Sequence, residues 1–234
     1  LNTTGFKRQR AEFQDLLYQD LRRPGDNSSD SGTIVPVGVQ IGIGVKAAAV
    51  YRINQQGNLS QTQNPLDVAI QGDGYFQVQM PDGTTSYTRA GSFQLNAQRQ
   101  IVTADGYLIQ PNITIPQGTT SITIDASGEV MADVAGTTNP QNVGQITLAV
   151  FPNPAGLSAY GQNLFSETQA SGAPIVQNPG VSDTGVLQQG FLETSNVDVV
   201  TEITNLITAQ RAYEMNSKVI ETADQMQQTL TNLQ

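Results

Sequence analysis

GFLETSNVDVVTEITNLITAQRAYEMNSKVIETADQMQQTLTNLQ, from Gly190 to Gln234, opens as extended chain and continues as one long helix. No Gly or Pro follows Val197, and the run is rich in Gln, Ala, Met, Leu and Glu, which favour helix. Ser195 stands as the N-cap, with Asp198 three residues on where a capping-box acid sits. At about 1.5 Å per residue such a helix would span roughly 55 Å. Its apolar residues fall into two stripes. One is Val199, Ile203, Leu206, Tyr213 and Ile220; the other is Ala212, Met215, Val219, Ala223, Met226, Leu230 and Leu233. Steps of 3 and 4 align side chains on a helix face, and two stripes imply more than one neighbouring helix. Glu214, Lys218 and Glu221 make a charge ladder beside them, each step worth about 0.2–0.5 kcal/mol. Periodicity of this length points to helical-bundle or coiled-coil packing rather than to a helix laid across its own domain.

Composition narrows the function. The 234 residues allow one large domain or two small ones. Net charge is −9, and clustered Lys and Arg are few, which excludes nucleic acid and anionic membrane surfaces as partners. No apolar run is long enough to cross a bilayer, so no membrane insertion is expected. The opening LNTTGFKRQR is polar and basic, unlike a signal peptide. It does not begin with Met, so the start is expected to be an internal point of a longer product.

Cys and His are both absent. That removes disulfides, thiol nucleophiles and Ser-His-Asp machinery, and takes the commonest ligands from zinc and iron sites. The best carboxylate group is Asp125, Glu129 and Asp133, but the first sits in a turn and the others alternate along a strand. A turn plus a solvated face explains them better than the paired acids of a glycosidase. Gly42 to Ala47 matches a loose G-x-G-x-x-A, yet no βαβ unit surrounds it. Phosphate loops and calcium loops are missing. The chain is therefore read as no enzyme, with no catalytic residue, no metal and no cofactor.

The rest divides into segments. Residues 1–23 read as the remnant of an N-terminal helical region, because Phe6, Phe13, Leu16, Leu17 and Leu21 are mostly linked by steps of 3, 4 or 7. Lys7, Arg8 and Arg10 read as a solvated basic face, the alternative being pairing with an acidic neighbour in an assembly. Residues 24–65 form an extended Gly-rich insert or β-hairpin linker. It starts with Pro24-Gly25 and the loop DNSSDSG, Asp26 to Gly32. Val37, Val39, Ile41, Ile43 and Val45 then alternate with Gly38, Gln40, Gly42, Gly44 and Lys46, a strand with one β-branched face and one open to close backbone approach. Such a strand would be an edge in search of a partner. Residues 66–192 read as the β body. Expected hairpins are 76–80 with 84–88 across Pro81-Asp82-Gly83, 92–95 with 100–103, and 122–124 with 129–134. Gly72-Asp73-Gly74 is read as a further hairpin turn and 145–151 as one strand. Residues 193–234 are the amphipathic helix. The fold class is thus mainly β, an irregular all-β central domain, with a long α-helical terminal segment.

Three stretches carry a family resemblance. NTTGFKRQRAEFQDLLYQ (Asn2 to Gln19), DVAIQGDGYFQVQMPDGTTSYTRAGSFQLN (Asp67 to Asn96) and ETSNVDVVTEITNLITAQRAYEMNSKVIETADQM (Glu193 to Met226) resemble bacterial flagellar rod and hook proteins. The insert DLLYQDLRRPGDNSSDSG (Asp15 to Gly32), VQIGIGV (Val39 to Val45) and RAYEMNSK (Arg211 to Lys218) are most similar to the distal-rod branch. The family's first helix would precede Leu1.

The resemblance implies a structural subunit of a stiff helical tube, carrying torque from motor to hook in the basal body across the periplasm. It implies a homopolymer, with proximal rod proteins, the hook protein and surrounding ring proteins as partners. It also implies export by the flagellar secretion apparatus without a cleaved signal peptide. The expected self-assembly seam is Val199, Ile203, Leu206, Tyr213, Val219, Ile220, Met226, Leu230 and Leu233. The expected second subunit contact is Val37, Val39, Ile41, Ile43 and Val45. Another flagellar axial protein and a secreted β-rich fibre or adhesin subunit are the alternatives, although a fibre should show fixed-period repeats. A cell-wall hydrolase is disfavoured by the missing His and Cys.

Overall fold

The computed structural model describes residues 3–25 and 37–231. The predicted loop Asp26 to Gly32 lies outside the described residues. Two paired stretches build a long ribbon at the N-terminal end. Strand β1, Gln9–Asp15, and strand β2, Tyr18–Arg22, return through β3, Val39–Gly42, and β4, Val45–Arg52. β1 pairs antiparallel with β4, and β2 with β3. Leu16 donates its N–H to Gly44 and Ile43 to Leu17, so the ribbon continues across the break between the two pairs. At that break Gly44 has φ +135°, a conformation that side-chain-bearing residues rarely adopt.

The helix expected in residues 1–23 is corrected here to two strands. Gln, Arg, Ala, Glu and Leu all favour helix locally, and steps of 3 and 4 fit one. Antiparallel pairing with the β-branched run 39–52 overrides both, as tertiary context does with weak propensities. The alternating run at 37–45 is likewise no lone edge, and it breaks at Ile43-Gly44. Its Gly face does admit close approach. A Cβ on Gly38 would lie 2.5 Å from the Arg22 carbonyl oxygen, and Gly42 leaves room for the Tyr18 ring.

The body follows from short alternating runs and tight turns. Strand β5, Leu59–Gln61, pairs with Phe191–Glu193, and β6, Val68–Gln71, pairs with Val186–Gln189. Strand β7, Tyr75–Gln79, meets β8, Thr85–Thr88, across Pro81-Asp82-Gly83 as expected. They lie inside a nine-stranded antiparallel sheet. The 93–95 strand pairs with 101–103, and 119–124 pairs with 129–134, again as expected. One turn reading and one strand reading fail. Gly72-Asp73-Gly74 is a corner between sheets, because β6 pairs with 186–189 and not with β7. The run 145–151 is two strands, Gln141–Gln145 and Leu148–Val150, in different sheets. Between them Ile146 is wholly buried and its N–H is taken by the Gly128 carbonyl, so the chain turns inward there.

The main core contains Val68, Ile70, Phe76, Phe93, Ile101, Ile109, Val130 and Leu148. Phe76 and Phe93 meet edge to face at 4.9 Å. A second cluster gathers Tyr75, Tyr87, Phe151, Leu157 and Phe165. Helix α1, Val199–Thr231, then leaves the body as one element.

Candidate assembly surfaces and the junction beneath them

The start of α1 is set by Asp198 rather than by Ser195. The Asp198 carboxylate accepts from the Val200 N–H at 3.2 Å and from the Thr201 hydroxyl at 2.6 Å. Those hydrogen bonds hold its carboxyl below the usual carboxylate range. Ser195 instead accepts from the Val197 N–H in a local turn. Asp198 also belongs at a helix N-terminus because its charge opposes the helix dipole.

Every described side chain of α1 from Ile203 to Thr229 is exposed. Val199, Ile203, Leu206, Tyr213, Val219, Ile220 and Met226 are all exposed, Tyr213 to 78%. Leu230 lies on α1, and Leu233 lies outside the described residues. At 3.6 residues per turn the stripe from Val199 to Ile220 and the stripe from Met215 to Met226 fall on roughly opposite sides of the helix. Val200 and Ile207 widen the first stripe and are exposed as well. Both stand at steps of 3 and 4 from Ile203, so spacing alone could have included them. Neither step of the charge ladder at Glu214, Lys218 and Glu221 closes to an ion pair among the described residues.

The ribbon is the second unburied surface. Val37, Val39, Ile41, Ile43 and Val45 are exposed, joined by Phe13 and by Leu17 at 81%. A two-stranded ribbon is marginal in water without a third strand or a packed face. The helix and the ribbon thus carry similar unburied apolar rows, and no described part of the chain covers either.

Both surfaces leave the body at one buried junction. Glu193, 1% exposed, receives Lys7 Nζ at 2.5 Å and Arg89 Nε at 2.6 Å. The Gly57 N–H also donates to it at 2.8 Å, and a Cβ on Gly57 would lie 1.9 Å from the Thr194 carbonyl oxygen. Arg89 spends its other donors on the carbonyls of Ile70, Gly72 and Gly74. Lys7 also donates to the Gln55 carbonyl. Asn196 completes the bracket: its Oδ1 accepts from the Arg8 N–H, and its Nδ2 donates to the carbonyls of Ile53 and Gln55. Burial alone would raise the Glu193 carboxyl, but the Arg89 charge and the hydrogen bonds from Arg89 and Lys7 outweigh it and hold the carboxyl low. Burial pulls the Lys7 ammonium down in spite of Glu193. Removing one partner of such a buried pair leaves the other charge buried without its counter-charge.

This corrects the solvated reading for Lys7, while Arg8 is half-buried and Arg10 exposed. Lys7 is buried against Glu193, Arg8 lies 3.6 Å from Glu202 on α1, and Arg10 pairs with Glu12 while lying over the Tyr51 ring. The cations find acids within the chain itself. Glu193 was missed because its partners lie 186 and 104 residues away, beyond any local spacing. One faint signal existed: a lone carboxylate closing the apolar pair Phe191-Leu192.

Asp125, Glu129 and Asp133 do not converge. Asp125 caps its turn through Ser127 and Glu129, Glu129 pairs with Asn142, and Asp133 with Ser121. Among the described residues no acidic cluster is placed to hold a metal.

A β body that displays an unburied two-sided helix and an unburied ribbon from one buried base has the design of an assembly subunit. Residues 69–132 match the flagellar hook protein FlgE/F/G D1 domain, and residues 188–233 match the C-terminal region of the flagellar basal body rod FlgEFG proteins. Flagellar basal-body rod protein FlgG of Caulobacter vibrioides is 61% identical over 100% of this chain and 89% of its own length. The protein of that name from Agrobacterium fabrum is 54% identical over 97% and 86%, and that from Bacillus subtilis 40% over 100% and 89%. The chain belongs to the flagellar basal-body rod protein family.

Proposed function

We propose that the chain is a structural subunit of the bacterial flagellar distal rod and assembles into a stiff helical tube that carries torque from motor to hook. The observation that carries this reading is α1, apolar on two opposite sides and exposed along its length, in a chain alike from end to end to proteins named for the rod. Head-to-tail contacts that repeat without closing produce open helical filaments. The seam from Val199 to Met226, with Leu230 and Leu233, packs against sister helices in an inner layer, gaining about 25 cal/mol per Å² of apolar surface buried. The ribbon residues Val37, Val39, Ile41, Ile43 and Val45 reach a neighbouring subunit.

The role is mechanical and not enzymatic. The partners are the chain itself, proximal rod proteins below, the hook protein above and the ring proteins around. The tube crosses the periplasm within the basal body, its subunits exported by the flagellar secretion apparatus without a cleaved signal peptide. Deleting residues 26–45 tests the mechanical reading. The body should stay folded while tubes seen by electron microscopy soften or fail to form, and tubes of normal stiffness would count against it. Discrete particles of the intact chain, with no axial growth at any concentration, would overturn the assembly reading itself.

A further inference from the structure

α1 has no side support. From Ile203 onward its described side chains touch water, so its direction is fixed at its base. At about 1.5 Å per residue, 33 residues make a lever of roughly 50 Å. A tilt of about 10° at the base moves the far end by roughly 9 Å, close to one helix-to-helix spacing of about 8–10 Å. An error of that size would set the distal stripe against the wrong neighbour. The ribbon has the same problem at its own base.

The groups that fix both bases meet at one carboxylate. Glu193 lies five residues before Asp198, and Lys7 two residues before β1. Glu193 bonds Lys7 at the ribbon base, Gly57 on the returning chain and Arg89 of the body. Arg89 is itself bolted to three body carbonyls. The backbone joins in, since Gly5 donates its N–H to the Glu193 carbonyl and Asn196 to that of Phe6.

We infer that Glu193, through Lys7 and Arg89, is the positioning residue that sets the angle of helix and ribbon to the body and so makes the subunit competent to form a straight tube. This rests on the rod reading for what the angle serves, but the junction can be tested apart from it.

The full chain would be compared with Glu193→Gln, Lys7→Met and Lys7→Arg. Hydrogen exchange on the unassembled chain reads the junction, and electron microscopy reads the assembly. In the first two variants the amides of Gly5, Arg8 and Gly57 should exchange about tenfold faster or more, while those of Val78 and Ile109 in the core keep their protection. Helix content by circular dichroism should hold, and tubes should become curved, short or absent. Lys7→Arg keeps the charge and should restore both readouts in large part. Straight tubes from Glu193→Gln and Lys7→Met, or junction amides exchanging as in the unaltered chain, would overturn the inference. Core amides speeding up with the junction would overturn it too, by making Glu193 a general stability residue. Should the unaltered chain form no tube, the rod reading fails, while the exchange data still decide whether the junction sets the angle.

Discussion

Ile70, Ile101, Ile109 and Val78 in the body are almost wholly buried, whereas Ile41, Ile43, Ile203 and Val219 on ribbon and helix are each more than half exposed. The residue types are the same and the treatment is opposite. The body buries its core residues between its own sheets, with Tyr160, Ile175 and Val176 left exposed at its surface. The helix and ribbon spend their apolar residues on surfaces that nothing in the described chain covers. In soluble monomers large contiguous exposed apolar surface is uncommon and marks a docking region. One polypeptide therefore holds two regimes, one largely closed on itself and one whose apolar rows stay uncovered among the described residues.

The sharpest break between the regimes comes from a charge on the open side. Ile203→Asp or Val219→Asp should abolish polymerisation by sedimentation, while the melting temperature of the body stays nearly unchanged, because exposed substitutions typically move stability by less than about 0.5 kcal/mol. A collapse of body melting would mean that the helix packs on its own domain. The mirror experiment is Phe76→Ala, which empties a wholly buried ring site. It should cost the body about 3–5 kcal/mol in urea unfolding. Equal losses from Phe76→Ala and Ile203→Asp would erase the distinction.

Acid should open the border between the regimes. Glu193 is held below its ordinary value of 4.5, so its stabilising contribution is complete above that value and is lost as pH falls through its lower native value. Exchange at Gly5 and Gly57 should rise in that acidic window more steeply in the unaltered chain than in Glu193→Gln, which has no carboxyl to titrate. The smallest effect is expected at the helix start. Asp198→Ala should remove the cap on the first turn of α1, seen as end fraying by circular dichroism, with the body unaffected.

The closed regime was largely legible in the residues. Pro81-Asp82-Gly83 and Asp125-Ala126-Ser127-Gly128 mark hairpins whose strands pair as spaced, since turn chemistry is local. The long helix was legible from its composition and the lack of breakers. Pairings between distant segments were not. β6 finds 186–189 instead of the adjacent β7, so Gly72-Asp73-Gly74 looked like a hairpin and is a corner. Residues 9–22 carry helical text and become strands because their partner lies at 39–52. Met226 and Val219 could be placed on a stripe by counting. Glu193, Lys7 and Arg89 could not, because no periodicity links residues 7, 89 and 193.

The opposed stripes on α1 carry one more consequence. A helix wet on both flanks is satisfied only when it stands between two others, so a row of them always ends in two unsatisfied members. Closing the circumference removes both ends together, and a vacancy in the wall would expose two raw edges at once.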